Sequence, residues 1–163
     1  MKRTIAIIQA SKQDVLPCLK ILLDSYLGEK YFSREVAEPI LREAVSKKEL
    51  YVAKDKAGEV LGFYRIVFDE ALLVFAYLYL IAVRKDLSGE KIGTELLRDA
   101  EKRIVQKPGY PFFKKVFLLL GKKHRKAKDY YEKNWYIRLG TIPNLSSPEV
   151  DKYLIMKELK KRK

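Results

Sequence analysis

The chain has 163 residues, 48% of them hydrophobic and 12% aromatic, with 34 Lys/Arg against 21 Asp/Glu for a net charge of +13. That apolar content excludes a disordered chain, and the length suggests a single domain over residues 1–163 with a real core. No apolar run reaches the roughly 18 residues of a membrane helix, and one cysteine, Cys18, excludes an internal disulfide framework and fits a reducing cytoplasm.

Met1-Lys2-Arg3 and then Thr4 to Ile8 read as an edge or near-edge strand, the apolar part being too short for a signal peptide. Ser11-Lys12-Gln13-Asp14 reads as a capping box that opens a helix with Val15, Leu19, Leu22 and Leu23 on one face. Cys18 lies on that apolar stripe, so it reads as a buried structural thiol. The segment from Leu27 to Phe32, with Gly28 and aromatics, reads as a loop. Ser33 then caps a second helix carrying Val36, Ile40, Leu41, Ala44 and Val45.

From Leu50 the period changes to that of strands: Leu50 to Ala53, a hairpin turn at Lys56-Ala57-Gly58-Glu59, then Val60 to Phe68. Leu72 to Val83 is apolar almost throughout, which predicts a central strand buried on both faces. A polar turn, Arg84 to Gly89, leads into an amphipathic helix expected to open at Glu90, with Ile92, Leu96, Ala100 and Ile104 at helical spacing. Pro108-Gly109-Tyr110-Pro111 ends that helix, and Val116 to Leu120 should be a strand parallel to the central one. A short helix with Ala127, Tyr130, Tyr131 and Asn134 on one face follows, then two closing antiparallel strands, Tyr136 to Ile142 and Tyr153 to Leu159. The sum is an α/β fold: a mixed, mostly antiparallel sheet of about seven strands with flanking helices, ending in a basic tail from about residue 157 to 163.

A strand that delivers a Gly-bearing turn into a helix N-terminus is suited to phosphate. The first-turn N–H groups have no partner within the helix, and the helix dipole favours negative charge there. The run Ile81-Ala82-Val83 followed by Arg84 to Leu97, then Ala127 to Lys133 with its Tyr131-Glu132-Lys133, then Leu139 to Pro143 with Asp151 to Met156, resembles in order and spacing the Gcn5-related N-acetyltransferase (GNAT) superfamily. The resemblance covers nearly the whole chain and implies the acyl-CoA N-acyltransferase fold, with acetyl-CoA as acetyl donor and no metal.

The resemblance places the pantetheine arm of the cofactor along Ile81, Ala82 and Val83. It places the phosphates at Ser88, Gly89, Glu90, Lys91, Ile92, Gly93 and Thr94, with His124 beside the arm. The chain departs from the family where Ser88 replaces the usual Arg or Gln, Lys91 the first Gly, Trp135 a helix-ending Gly and His124 an Asn. Ser88 suits an N-cap, and Lys91 adds a cation that Glu90 opposes.

For acetyl transfer the Val83 N–H is the expected donor to the oxygen that gains charge, and Tyr131 the expected general acid toward the departing thiolate. No general base stands out. Glu70 lies at the wrong end of its strand, Tyr77 and Tyr79 stand where several relatives carry a carboxylate, and His124 reads as a cap or pantetheine neighbour.

The cluster Lys122 to Lys128 reads as a solvated helix start, or as a hold on the cofactor phosphates. The acceptor is expected to be the primary amine of a peptide or protein N-terminus or of a small molecule. The chain is expected to be a cytoplasmic monomer or homodimer without a membrane partner. The alternative is a catalytically decayed module of the same fold that binds nucleic acid or the ribosome through its basic surface; an acidic protein or nucleic acid is in either case a secondary partner.

Overall fold

The computed structural model describes residues 4–69, 75–108, 115–145 and 148–159. Seven strands form one sheet in the order β1-β2-β3-β4-β5-β7-β6. The strands are β1 (Ala6–Gln9), β2 (Leu50–Lys54), β3 (Val60–Asp69), β4 (Phe75–Val83), β5 (Lys115–Gly121), β6 (Ile137–Ile142) and β7 (Lys152–Glu158). The helices are α1 (Val15–Leu23), α2 (Tyr26–Tyr31), α3 (Arg34–Ser46), α4 (Ile92–Gln106) and α5 (Arg125–Lys133). Among the described residues no helix is long and apolar enough to cross a membrane. The chain divides into two compact units, Met1–Ile66 with Leu80–Ala100 and Val67–Tyr79 with Glu101–Lys163.

In the first unit β1, β2 and β3 form an antiparallel meander. Asp55 shapes the β2–β3 turn: its carboxylate accepts from the N–H groups of Ala57 and Glu59 (both 3.0 Å), and Gly58 takes the positive φ of 85° that the turn requires. Helices α1 and α3 close a core with Cys18, Leu19, Leu22, Ala37, Leu41 and Phe63. Cys18 is fully buried and burial pushes its thiol up, as a structural cysteine requires.

The segment read as a loop, Leu27 to Phe32, is mostly helix α2, capped by Ser25, whose hydroxyl accepts from the Gly28 N–H (3.3 Å). Gly28 is there for contact, not for a turn: a Cβ on it would stand 2.3 Å from the Leu22 carbonyl oxygen, so α2 presses its backbone on the end of α1. Val36, expected on the buried stripe of the second helix, is 50% exposed; Ala37 is buried in its place.

In the second unit β5 pairs parallel with β4 and antiparallel with β7, and β6 closes the edge against β7. Central β4 departs from the expectation of two buried faces. Ala76, Leu78, Leu80 and Ala82 are buried, but Tyr77, Ile81 and Val83 are only half-buried and Tyr79 is 39% exposed. Its uniform apolarity therefore hides an alternation in cover.

The basic tail begins later than expected. Lys157 and Glu158 belong to β7, Lys157 is bound through both oxygens of Glu101 (2.9 Å each), and Leu159 is buried. The start of the central strand, Glu70, residues 109–111, Ser146, Ser147 and the chain from Lys160 lie outside the described residues.

Candidate functional site

The first unit holds the turn that the sequence singles out. At the end of β4 the Arg84 N–H donates to the Leu61 carbonyl on β3 (2.9 Å). Backbone groups alternate along a strand, so the N–H of the preceding Val83 points away from β3. The Arg84 guanidinium is held by Asp86 (2.7 and 3.1 Å) and by Glu59 (3.2 Å), which ties the β2–β3 hairpin to the turn. Asp86 first, with Glu59, raises an already high pKa, so Arg84 stays charged and serves as a brace. Leu87, buried, anchors the short 3-10 turn of Lys85–Leu87.

Helix α4 opens two residues later than expected, at Ile92. Gly89 (φ 91°) and Lys91 (φ 62°) both have left-handed backbones, which a helix cannot contain. Lys91 is the last residue outside the helix, and its carbonyl accepts from the Glu95 N–H (3.1 Å). Ser88 is therefore not an N-cap; its N–H donates to Lys85 (3.4 Å) and it ends the 3-10 turn.

The N–H groups of Ile92, Gly93 and Thr94 have no acceptor within α4. Gly93 has no packing reason to be glycine: a Cβ there would meet Val83 Cγ2 at 3.6 Å, an ordinary contact. Gly62 differs, since a Cβ there would stand 2.8 Å from the Ala82 carbonyl oxygen and 3.0 Å from Leu96, so it lets α4 close on the sheet. A helical glycine with room for a methyl suits close approach of a ligand to the backbone. With the free N–H groups, the helix dipole and the Lys91 cation, the turn fits a pyrophosphate.

The second unit holds Tyr131 and His124. Tyr131, on α5, is 7% exposed and packs edge-on against Tyr130 and Tyr136 (ring centres 5.3 Å apart in each case). With Leu120, Arg138, Tyr153 and Ile155 it lines a cavity of about 330 Å³. Among the described residues no hydrogen bond holds its hydroxyl. The residue is buried, but its hydroxyl is left without a partner among them on a ring that lines the cavity, which suits a ligand atom.

Burial, then neighbouring Tyr130, pushes the phenol well above the ordinary tyrosine value. Tyr131 thus stays protonated at neutral pH and is a firm hydrogen-bond donor. Full proton transfer to a thiolate runs uphill, although dry surroundings raise the thiolate's own pKa as well. The carbonyls of Tyr131 and Glu132 accept from Tyr136 and Trp135 (3.0 Å each), the bond pattern of a helix end whose next residue is left-handed. Trp135 takes that place with φ 68°, so the position read as a glycine site has a glycine's backbone.

His124 sits at the N-cap of α5, where its carbonyl accepts from the Lys128 N–H (3.1 Å) while its side chain makes no cap bond. Burial, then Lys126, lowers its pKa, which leaves it neutral at pH 7. In the basic cluster, Lys122 pairs with Asp151 (3.4 Å) and Lys128 with Glu132 (3.7 Å), as on a solvated helix start. Among the described residues no group of three His, Cys, Asp or Glu is placed to hold a metal ion.

Sequence reasoning missed the Arg84 brace and the role of Tyr77. The first could have been suspected from the acidic Glu59 and Asp86 around a single Arg. The second needed the register. Among the described residues the β4–β5 ladder consists of Ala76 with Val116 and Tyr77 with Phe117. Beyond it the Tyr77 phenol takes a backbone hydrogen bond from Leu119.

Known proteins place this geometry. A model of the acetyltransferase (GNAT) domain matches residues 46–137, more than half of the chain. A search of curated proteins gives no match. Among solved structures, Ard1 from Thermoplasma volcanium is similar at a TM-score of 0.79, with 18% identity, over 96% of this chain and 99% of that one. Naa50 from Arabidopsis thaliana, in complex with the bisubstrate analogue CoA-Ac-MVNAL, is similar at 0.73, with 16% identity, over 95% and 99%. NAA60 from the same plant, also with a bisubstrate analogue, is similar at 0.73, with 16% identity, over 96% and 98%. These likenesses carry the fold; the domain match carries the kinship, and the chain belongs to the GNAT family of N-acetyltransferases.

Proposed function

We propose that this protein is an acetyl-CoA-dependent N-acetyltransferase that moves the acetyl group directly to the primary amine of a peptide, a protein N-terminus or a small molecule. The observation that carries the reading is the open N-terminus of α4 after β4, with a glycine at Gly93 that no protein contact demands. Acetyl-CoA supplies an activated acyl carbon and a thiol that leaves.

The chain's own groups supply the rest. The N–H groups of Ile92, Gly93 and Thr94 take the phosphates, and Lys91 adds a cation beside them. Ile81, Ala82 and Val83 would offer backbone groups to an extended arm, and the Val83 N–H, which points away from β3, would be the donor to a carbonyl oxygen that gains charge. Tyr131, protonated at neutral pH, would be the hydrogen-bond donor to a departing sulfur. A reducing, cytoplasmic compartment fits a chain whose one cysteine is a buried free thiol.

Calorimetric titration with acetyl-CoA at moderate salt tests the cofactor, with ATP and a short RNA as polyanion controls. Saturable micromolar binding that the controls do not reproduce is the expected result. Binding to all three alike, lost as salt rises, overturns it in favour of a decayed basic module. Tyr131→Phe tests the chemistry. It should lower kcat about 10- to 100-fold while the KM for acetyl-CoA changes less than about threefold. An unchanged kcat removes Tyr131 from the mechanism.

A further inference from the structure

Among the described residues no hydrogen bond holds the Tyr131 hydroxyl, so the two rings packed edge-on against it set the plane of its own ring. One of those rings is itself anchored. The Tyr136 hydroxyl donates to a carboxylate oxygen of Glu101 (3.0 Å), and the Lys157 ammonium donates to both oxygens of that carboxylate (2.9 Å each). The same ammonium lies 5.6 Å from the centre of the Tyr136 ring. All four residues belong to the second unit.

The path of the chain brings Tyr136 to Tyr131. Trp135, left-handed at φ 68°, ends α5 and turns the next residue back, so that the Tyr136 N–H reaches the Tyr131 carbonyl (3.0 Å). A main-chain bond and a ring contact thus join the same two residues.

Packing does not require the rest of the chain of bonds. Tyr136 is 4% exposed, and a phenylalanine would fill its place with no hydroxyl to satisfy. The hydroxyl calls for an acceptor. That acceptor is a carboxylate whose side chain is only 16% exposed, and it in turn calls for Lys157. What such a network adds is direction: with every member bonded it holds one arrangement, whereas apolar packing alone lets a ring slide and tilt.

We propose that Tyr136, anchored by Glu101 and Lys157, is a positioning residue that fixes the direction of the Tyr131 hydroxyl. The inference rests on the acetyltransferase reading above, in which Tyr131 is the donor. Glu101 and Lys157 act through Tyr136 and touch no substrate. A catalytic group misplaced by about 1 Å can cost about 100-fold in rate. Loss of the anchor alone leaves the ring in place with more freedom, so the cost should be smaller and should fall on kcat, not on the hold on the cofactor.

The test is a double-mutant cycle on the whole protein, with acetyl-CoA and the fastest acceptor from a panel of peptides with free N-termini and small primary amines. Tyr136→Phe keeps the ring and removes the anchor. It should lower kcat per folded molecule about 3- to 10-fold, the folded fraction being taken from urea denaturation, with the KM for acetyl-CoA within about twofold. Added to Tyr131→Phe, it should change kcat by less than about twofold, because no hydroxyl is left to direct. Glu101→Gln keeps the shape of the anchor without its charge, and should lower kcat in the wild-type protein but not in Tyr136→Phe. Loss by the same factor with and without the Tyr131 hydroxyl is the mark of a purely structural role and overturns the inference. So does an unchanged kcat in Tyr136→Phe, or a rise in KM alone. No transfer by the wild-type protein, or an unchanged kcat in Tyr131→Phe, overturns instead the reading on which the inference rests.

Discussion

Lys91 holds a left-handed backbone at the mouth of α4, which costs an L-residue about 1–2 kcal/mol. The cost persists where the family usually has glycine, so the side chain is the candidate compensation: a cation beside the N–H groups proposed to take the phosphates. Lys91→Gly should raise stability by about 1 kcal/mol in urea denaturation and weaken acetyl-CoA binding about threefold. Lys91→Glu keeps the strain and reverses the charge, so binding should weaken about tenfold or more in the same titration. Equal affinity in all three proteins would mean that the cation takes no part. Trp135 carries the same strain at the end of α5 with its indole 82% exposed, and nothing in the structure explains why glycine does not stand there.

At the scale of elements, two helix starts show how local chemistry sets position. Gly93 weakens the first turn of α4 without serving its packing. Gly93→Ala should leave stability unchanged or raise it by up to about 1 kcal/mol, yet raise the KM for acetyl-CoA about tenfold. A loss of stability would make Gly93 a packing residue and weaken the case for the turn. The start of α1 depends instead on a charge. Asp14, nearly buried, accepts from the Ser11 N–H (2.8 Å), the Ser11 hydroxyl (3.0 Å) and Lys54 (2.6 Å). Burial raises its pKa, but the bonds from Lys54 and Ser11 outweigh this and hold it below the ordinary carboxylate value. A lowered carboxylate stabilises the fold above about pH 4 and loses that contribution as pH falls through its native value. Asp14→Ala should therefore cost about 2–3 kcal/mol at pH 7, and the gap to wild type should narrow below about pH 4, as chemical denaturation at both pH values would show.

For the whole molecule, buried phenols set the alkaline limit. Tyr136 is pushed far up by burial, then by the Glu101 carboxylate that accepts its hydrogen bond (3.0 Å), and Tyr131 is pushed up by burial and Tyr130. Below about pH 10 both are protonated in the folded and unfolded chain, so neither contributes. Above that the unfolded chain loses the protons first and stability falls, by about 2.7 kcal/mol per pH unit for the two together. Urea unfolding from about pH 9 to 11, followed with tyrosinate absorbance, should show this slope develop above about pH 10, and Tyr136→Phe should remove about half of it. A loss of tyrosinate absorbance from the native protein on Tyr136→Phe at these pH values would contradict it, since Tyr136 should add none before unfolding while others of the 11 tyrosines do.

The sequence alone determined the elements whose cause is local. Lys56 to Glu59 with Gly58 imply the hairpin, Ser11 and Asp14 the start of α1, and the apolar runs of β4 and β5 a central parallel pair, because side-chain bonds, left-handed glycines and hydrophobic periods act within a few residues. The turn from β4 toward α4 was legible for the same reason, and so was the kinship it carries. The start of α4 was not, since no rule of composition tells that Lys91 takes a left-handed backbone. Nor was the role of Gly28, whose cause is the approach of α1. Which face of β4 stays open, and that Tyr77 ends its ladder with β5, depend on register between strands distant in the chain. Tyr131's burial and the pairing of Lys157 with Glu101 depend likewise on what the fold brings against them. These are sums over contacts that exist only once the chain has closed, so only the tertiary structure decided them.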